Sequence, residues 1–557
     1  MPNEFNIKNG FITSGNSNVY AGLNVTGGLT ATTISATTYV NLPSSGGGTF
    51  TGGTVSGATN FTGGLSANTF SATTATIRKI TGGSGNTNSG IYAFIGGGTS
   101  NSATGNCSVV GGGEKNLAQA IGGFIGGGEC NNVCNSTNGC LAFGAVVVGG
   151  VGNNTTGGTW SLATCTFTVA PTICNAGIYS FVGGGFQNRA TGASSTISGG
   201  YCNTVSSNFS NIGGGYRNTA GGACSFIGGG FQNSSTGNTS TISGGYKNTA
   251  GGACSVIGGG DTNTASGRRS TVGGGLTNTS SGDYSTVSGG HCNNATSNRN
   301  SVGGGFTNTS SNSYAVIAGG RNNTSSAYAS TVAGGRSNIA SGTISSVLGG
   351  CTNTASAAYS VVGGGKTNTA SGCFSTIGGG EKNLAQAIGG FIGGGECNNV
   401  CNSTSGCLAF GAAVVGGVGN NTCGGTWSLA TCTFTVAPTI CNAGLYSFVG
   451  GGFQNSSTGN TSTISGGYKN TAGGACSFIG GGSGNTVNAS FSAILAGSGN
   501  TISSTGTTSF IIGANISSDR TCTTFVNNLS IKTIPTSSAG LPSGSVWSNA
   551  GVLNIVT

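Results

Sequence analysis

The chain has 557 residues, 115 of them glycine, or about a fifth of the sequence against an average near 7%. Charged residues make up 4%, Pro numbers 6 and Met 1. These figures exclude collagen, which needs Gly at every third position and much Pro. They also exclude a charge-rich disordered chain and, because glycine leaves little side chain to bury, an ordinary globular enzyme. No run of about 20 apolar residues is present, so no transmembrane helix and no membrane insertion are expected. The net charge of +9 is dilute, and its basic residues look scattered along the sequence, so no nucleic-acid partner is expected. Met1 to Gly10 holds one Lys and no apolar core, so no secretory signal is expected either.

In chain order, residues 1–79 come first. Phe5-Asn-Ile-Lys-Asn-Gly-Phe-Ile-Thr and Leu23-Asn-Val-Thr-Gly-Gly-Leu-Thr alternate apolar and polar residues, as short strands do. From residue 80 a 15-residue unit takes over, Ser-x-Val/Ile-x-Gly-Gly-x-x-Asn-Thr-Ala-Ser-Gly-x-x. Its Asn recurs fifteen times without a slip from Asn188 to Asn398, with shorter tracts at Asn86 to Asn131 and Asn455 to Asn500. Six residues before each of these Asn stands Val or Ile, in all 23 cases. A β-branched residue in one fixed column predicts stacked parallel strands with that side chain inward. Gly pairs such as Gly274-Gly275 predict one tight corner, and a Gly four residues after the Asn, such as Gly282, predicts the second. Coils rising about 4.8 Å each make a rod on the order of 110 Å. Its core is so slender that lateral association of several chains is the natural remedy.

The register predicts tracts at 80–131, 181–398 and 448–515, inserts at 132–180 and 399–447, and a C-terminal β cap at 516–557. The inserts are copies at an offset of 267 residues, and each keeps one further coil, at Asn153 and Asn420. The rest of each, Trp160 to Tyr179 and Trp427 to Tyr446, reads as loops or a hairpin.

Few residues offer chemistry. The single histidine, His291, stands at a variable corner with no acid close in sequence, and reads as an exposed turn residue. Glu114 and Glu129 fall in one corner column a coil apart, and Glu381 and Glu396 repeat the pair. Such carboxylates suit a bridging cation or a glycosidase, against the plainer reading of solvated charge beside Lys115 and Lys382. The same column carries Phe186, Tyr201, Tyr216, Phe231 and Tyr246 in five consecutive coils, as a stacked ladder or a strip that binds glycan or receptor. Cys134, Cys140, Cys165 and Cys174, repeated as Cys401, Cys407, Cys432 and Cys441, allow two disulfides per insert with the connectivity open. Without a C-x-x-C pair, zinc is not expected, and no cofactor is. The Asn column reads as a hydrogen-bonded ladder. A Thr column (Thr249, Thr264, Thr279, Thr309, Thr324, Thr354, Thr369), one per coil and interrupted by Ile339 and Leu384, raises ice binding as a further reading.

The unit, with its Ser-x-Val/Ile strand, small-residue corner and Ala/Ser-Gly turn, resembles the left-handed parallel β-roll in heads of trimeric autotransporter adhesins. The termini, Met1-Pro-Asn-Glu-Phe-Asn-Ile-Lys-Asn-Gly-Phe-Ile and Ile534-Pro-Thr-Ser-Ser-Ala-Gly-Leu-Pro-Ser-Gly-Ser-Val-Trp-Ser-Asn, resemble those of bacteriophage fibre proteins. The resemblance implies a homotrimeric, non-enzymatic fibre of a virion, with residues 1–79 attaching to a virion protein and the rod contacting a host surface glycan or protein receptor. A bacterial cell-surface adhesin or extracellular filament subunit is the alternative. A polysaccharide depolymerase and an ice-binding solenoid are further ones.

Overall fold

The computed structural model describes the backbone of four short strands before residue 80. From there it describes the chain to Thr557, except residues 134–142, 157, 162–165, 170–171, 174–175, 402–409, 424–425, 429–432, 437–438, 441–442 and 531. The chain divides into two compact units, Met1–Ile77 and Arg78–Thr557. In the first, Phe5–Ile7 pairs in parallel with Leu23–Val25, and Ile34–Tyr39 with Val55–Thr59.

The second unit is an all-β parallel solenoid, and no helix occurs among its described residues. Each regular coil is built from two two-residue strands, such as Thr271–Val272 and Thr279–Ser280, joined by two turns. The first strands stack into one continuous parallel ladder, from Ile80–Thr81 through Phe510–Ile512 to Thr524–Val526. The second strands form three separate sheets of 4, 15 and 4 strands. The interruptions fall at the inserts. There the coil of Val146–Val147 keeps its place in the main ladder, but Thr155–Thr156 pairs antiparallel with Thr172–Ile173, beside a hairpin of Thr159–Ser161 with Thr166–Val169. The second copy repeats this arrangement with Thr422–Cys423 and Thr439–Ile440. A last hairpin joins Val546–Asn549 to Val552–Ile555.

The Val/Ile column is the core. Ile95, Val182, Ile227, Val272, Val332, Ile377 and Ile479 are all completely buried. They face an equally buried column of small residues on the second strand, such as Ala220, Ala250, Ser280 and Ala355. Where that column holds Ser, its hydroxyl meets a buried Ser of the following turn. Ser235–Ser240, Ser280–Ser285 and Ser325–Ser330 lie 2.6, 2.6 and 2.7 Å apart. A narrow core therefore keeps its polar atoms paired at these coils.

One expectation changes. Ile80 does not occupy the core column: it pairs with Phe94, and Thr81 with Ile95, because the first corner is one residue shorter than the rest. The second corner does fall at its glycine, with the Ser285 amide closing the turn onto the Gly282 carbonyl at 3.2 Å, but that glycine is not the left-handed residue. A Cβ on Gly282 would lie 2.0 Å from the Ser297 carbonyl oxygen, so a side chain there requires the neighbouring coil to shift. The left-handed residue is Tyr284, two positions on, with φ +58°. The first turn also holds a non-glycine left-handed residue, Thr277 at +55°. Each such residue costs on the order of 1–2 kcal/mol. What offsets it is a reversal of hydrogen-bond direction. Most ladder amides donate to the following coil, but the amides of Thr277 and Tyr284 donate backward, to Asp261 and Arg268 at 2.8 Å each.

Candidate functional site

The first turn is organised by its Asn. The side chain of Asn278 accepts the Asn293 amide at 3.0 Å, and its Nδ2 donates to the carbonyls of Gly274 and Gly290 at 2.9 and 2.8 Å. One side chain thus closes its own turn and ties it to the next. The ladder crosses both inserts without a gap, through Asn131, Asn153 and Asn188 and through Asn398, Asn420 and Asn455, at 3.0 Å per step. It ends where the Ile516 amide donates to Asn500.

Outside this corner lies the column of sequence-selected residues, paired coil to coil. Phe186, Tyr201, Tyr216, Phe231 and Tyr246 are brought together as a continuous stack with centroids 4.7, 5.0, 4.7 and 5.2 Å apart and interplanar angles of 8–14°. Phe453 and Tyr468 stack at 5.4 Å. Because each inner ring has a neighbour on both faces, the ladder presents ring edges rather than faces along its length. A sugar ring seeking an aromatic face would find one only at the two ends. Lys247 stands 4.9 Å from the last ring's centroid.

Glu114 and Glu129 are bridge partners, as are Glu381 and Glu396. Lys115 takes Glu114 at 2.7 Å, and Glu381 receives both Lys366 and Lys382 at 3.2 Å. Hydrogen bonds from Lys366 and then Lys382 hold the Glu381 carboxyl below the usual carboxylate range. A glycosidase acid needs the opposite shift. The pairs bring two carboxylates each, and no cluster of three or more His, Cys, Asp or Glu gathers among the described residues. His291 makes an edge contact with Phe306 at 4.9 Å. Of the insert cysteines, Cys401 is buried with the Asn399 amide 2.9 Å from its sulfur. Cys134, Cys140, Cys165, Cys174, Cys407, Cys432 and Cys441 lie outside the described residues.

The Thr column stands on the second strand, with Thr249, Thr264 and Thr279 paired in succession. Asn294 interrupts it as well as Ile339 and Leu384. A second set, Thr262, Thr277, Thr307, Thr352 and Thr367, was not anticipated, but it occupies left-handed turn positions rather than the strand and does not widen the array.

The feature that sequence reading missed is the outer face of the main ladder. Two columns flank the core residue there, exemplified by Phe226 and Gly228 around Ile227. From Phe94 to Ile512 neither column contains an Asp, Glu, Lys, Arg or His. Their sizes are complementary at the coils that carry Phe. Phe at 94, 124, 181, 226, 391, 448 and 478 is always followed two residues later by Gly, and the large Val148, Leu348, Val415 and Leu495 accompany Val146, Ser346, Ala413 and Ala493. The Phe ring leans over its Gly, so that a Cβ on Gly126 or Gly183 would meet Phe Cε1 at 3.5 or 3.4 Å. Phe510 with Ile512, at the end of the stack, departs from the rule. The result is an uncharged strip on which Phe124, Phe226, Phe391 and Phe510 remain exposed. No protein-family model and no curated protein matches the chain.

Proposed function

We propose that the chain is a non-enzymatic structural and adhesive fibre subunit that works as a homo-oligomer, a trimer by its resemblance to adhesin heads. In this reading it belongs to a bacteriophage virion, attaches to it through residues 1–79, and meets a host surface glycan or protein with the rod. The observation that carries the self-association is the charge-free strip. Twenty-five coils at about 4.8 Å, some three residues wide, present about 1,200 Å² per chain, above the about 800 Å² per partner of a standard stable interface. Volume exchange between its columns suits a rigid neighbour with the same periodic surface, and a second copy is such a neighbour. Lys366 and Lys382 on Glu381 make it a poor general acid. A bacterial surface adhesin or extracellular filament subunit uses the same strip and differs in where the protein is found.

Light scattering with negative-stain microscopy of purified protein tests the reading. It predicts a discrete elongated particle near three times 53.4 kDa. A monodisperse monomer would refute it, and end-to-end polymers would favour the filament alternative.

A further inference from the structure

Basic residues that look scattered in sequence gather at one place in the fold. Arg269, Tyr284, Arg299 and Tyr314 recur every 15 residues, so they occupy one column of the second turn in four consecutive coils. All four are left-handed, with φ of 56°, 58°, 57° and 61°, which holds them in one repeated orientation. The guanidinium carbons of Arg269 and Arg299 lie 5.4 and 5.5 Å from the Tyr284 ring centroid, and Arg299 lies 5.2 Å from that of Tyr314. Arg268, from the adjoining column, approaches Tyr284 at 5.4 Å. Two guanidinium groups donate to one phenol oxygen: Arg268 Nη2 and Arg269 Nη1 reach Tyr284 Oη at 2.9 and 2.8 Å, and Arg299 Nη1 reaches Tyr314 Oη at 2.6 Å.

This arrangement concentrates positive charge without neutralising it. Tyrosine supplies a neutral acceptor and a polarised ring face, so it orients the guanidinium groups without cancelling their charge. Asp283, the carboxylate beside them, spends Oδ1 on the Arg268 amide at 2.9 Å, and among the described residues no carboxylate forms an ion pair with any of the three arginines. Each guanidinium has five donors, of which these contacts use one. All three arginines are exposed.

We infer that Arg268, Arg269 and Arg299, oriented by Tyr284 and Tyr314, form a binding site for an anionic polysaccharide. Carboxylate, sulfate or phosphate groups on the glycan match the open guanidinium donors. Arg269 and Arg299 stand two coils apart, about 9.6 Å, the separation of alternate residues along an extended sugar chain that carries acid groups at intervals. Single-stranded nucleic acid fits less well, because the Tyr284 faces that a base would stack on are covered by guanidinium groups. The inference deepens the adhesive reading by naming the class of surface polymer, and its test does not depend on the assembly state.

The experiment titrates the full chain with labelled dextran sulfate and polygalacturonate, with neutral dextran and a single-stranded oligonucleotide beside them, at low and physiological salt. The variant Arg268→Gln/Arg269→Gln/Arg299→Gln is compared with Arg321→Gln/Arg336→Gln/Lys366→Gln, which removes equal charge from the first-turn column. The expected result is binding of the acidic polymers but not of neutral dextran. Loss of about tenfold or more is expected in the first variant only, with both melting like the parent. Tyr284→Phe/Tyr314→Phe, which keeps the rings and removes the acceptors, should weaken binding by a smaller factor. Equal losses in the two charge variants, no binding of either acidic polymer, or tighter binding of the oligonucleotide would each overturn the site. A non-binding protein that still assembles would leave the fibre reading standing, and a binding monomer would do the reverse.

Discussion

The two turns of each coil solve the same problem in opposite ways. The first turn is uniform: every coil from Gly98 to Gly513 has a left-handed Gly there, followed in every coil but the last by an Asn three residues on that bonds both its own turn and its neighbour. The second turn is permissive. Its Gly282 position is Ala at 327, 357 and 387, Ser at 297 and Asn at 312, and its left-handed position takes residues as different as Tyr, Arg, Cys, Thr, Phe, Ile, Ser, Ala and Gly. The shared Gly and Asn thus concentrate stability on one edge, while the other keeps no such constant residue and carries the arginine–tyrosine column. In a stack where each coil touches only its neighbours, such a division lets surface chemistry vary without interrupting the core.

Substitutions sharpen this contrast. The largest effect is expected from Asn278→Ala, which removes three hydrogen bonds and leaves the buried Asn293 amide without its acceptor. At about 1 kcal/mol per bond plus the unpaired group, the cost is about 3–5 kcal/mol. Hydrogen exchange over residues 256–300 should show coils on both sides loosening. Gly275→Ala comes next, at about 2–4 kcal/mol, since its φ is +90° and a Cβ would lie 2.2 Å from the Gly290 oxygen. Gly282→Ala should cost about 1–2 kcal/mol, because neighbouring coils show that the second turn takes a Cβ after a small shift. Equal costs for the two glycine variants in the same exchange measurement would break the comparison.

Smaller effects follow from the side chains outside the first turn. Tyr216→Ala removes two stacking contacts, and about 1–2 kcal/mol of local stability should go with them, read as faster exchange between residues 195 and 250. Burial pushes the Cys397 thiol up to about 11, with Glu396 contributing. At pH 8 only about one thiol in a thousand would then be ionised, so Cys397 should alkylate far more slowly than the exposed Cys476 of a second turn; matching rates would contradict the burial. The Glu381 carboxyl, lowered by Lys366 and then Lys382, contributes stability above the ordinary carboxylate range and loses it as pH falls through its own depressed value. In Lys366→Gln its titration, followed by NMR, should move upward toward an ordinary glutamate.

Much of this was legible in the sequence. The Asn and Val/Ile columns gave coil length, strand direction and core, and they placed Glu114 against Glu129 and Phe186 against Tyr201 in the pairs found. The left-handed residues were not legible, since Thr277 and Tyr284 carry no residue-type signature and owe their conformation to the hydrogen bonds their amides donate backward to the preceding coil. Ile80 misled because a corner one residue short shifts the pairing by one strand position, so that Thr81 rather than Ile80 pairs with Ile95. The charge-free strip and the arginine–tyrosine column were present in the 15-residue register. They emerge only when residues are compared down columns by size and charge rather than along the chain.

The central claim, that copies of this chain meet through the uncharged face of the main ladder, is tested most directly by charging that face. Val256→Glu, Val316→Glu and Val361→Glu together leave the buried Ile257, Ile317 and Val362 untouched. Native mass by light scattering should fall from the oligomer to near 53.4 kDa, with the β-sheet circular dichroism retained. The same three charges placed at Thr264, Thr324 and Thr369, on the second strand, should leave the oligomer intact. An oligomer that survives charges on the main face, or that dissociates equally in both variants, would contradict the account.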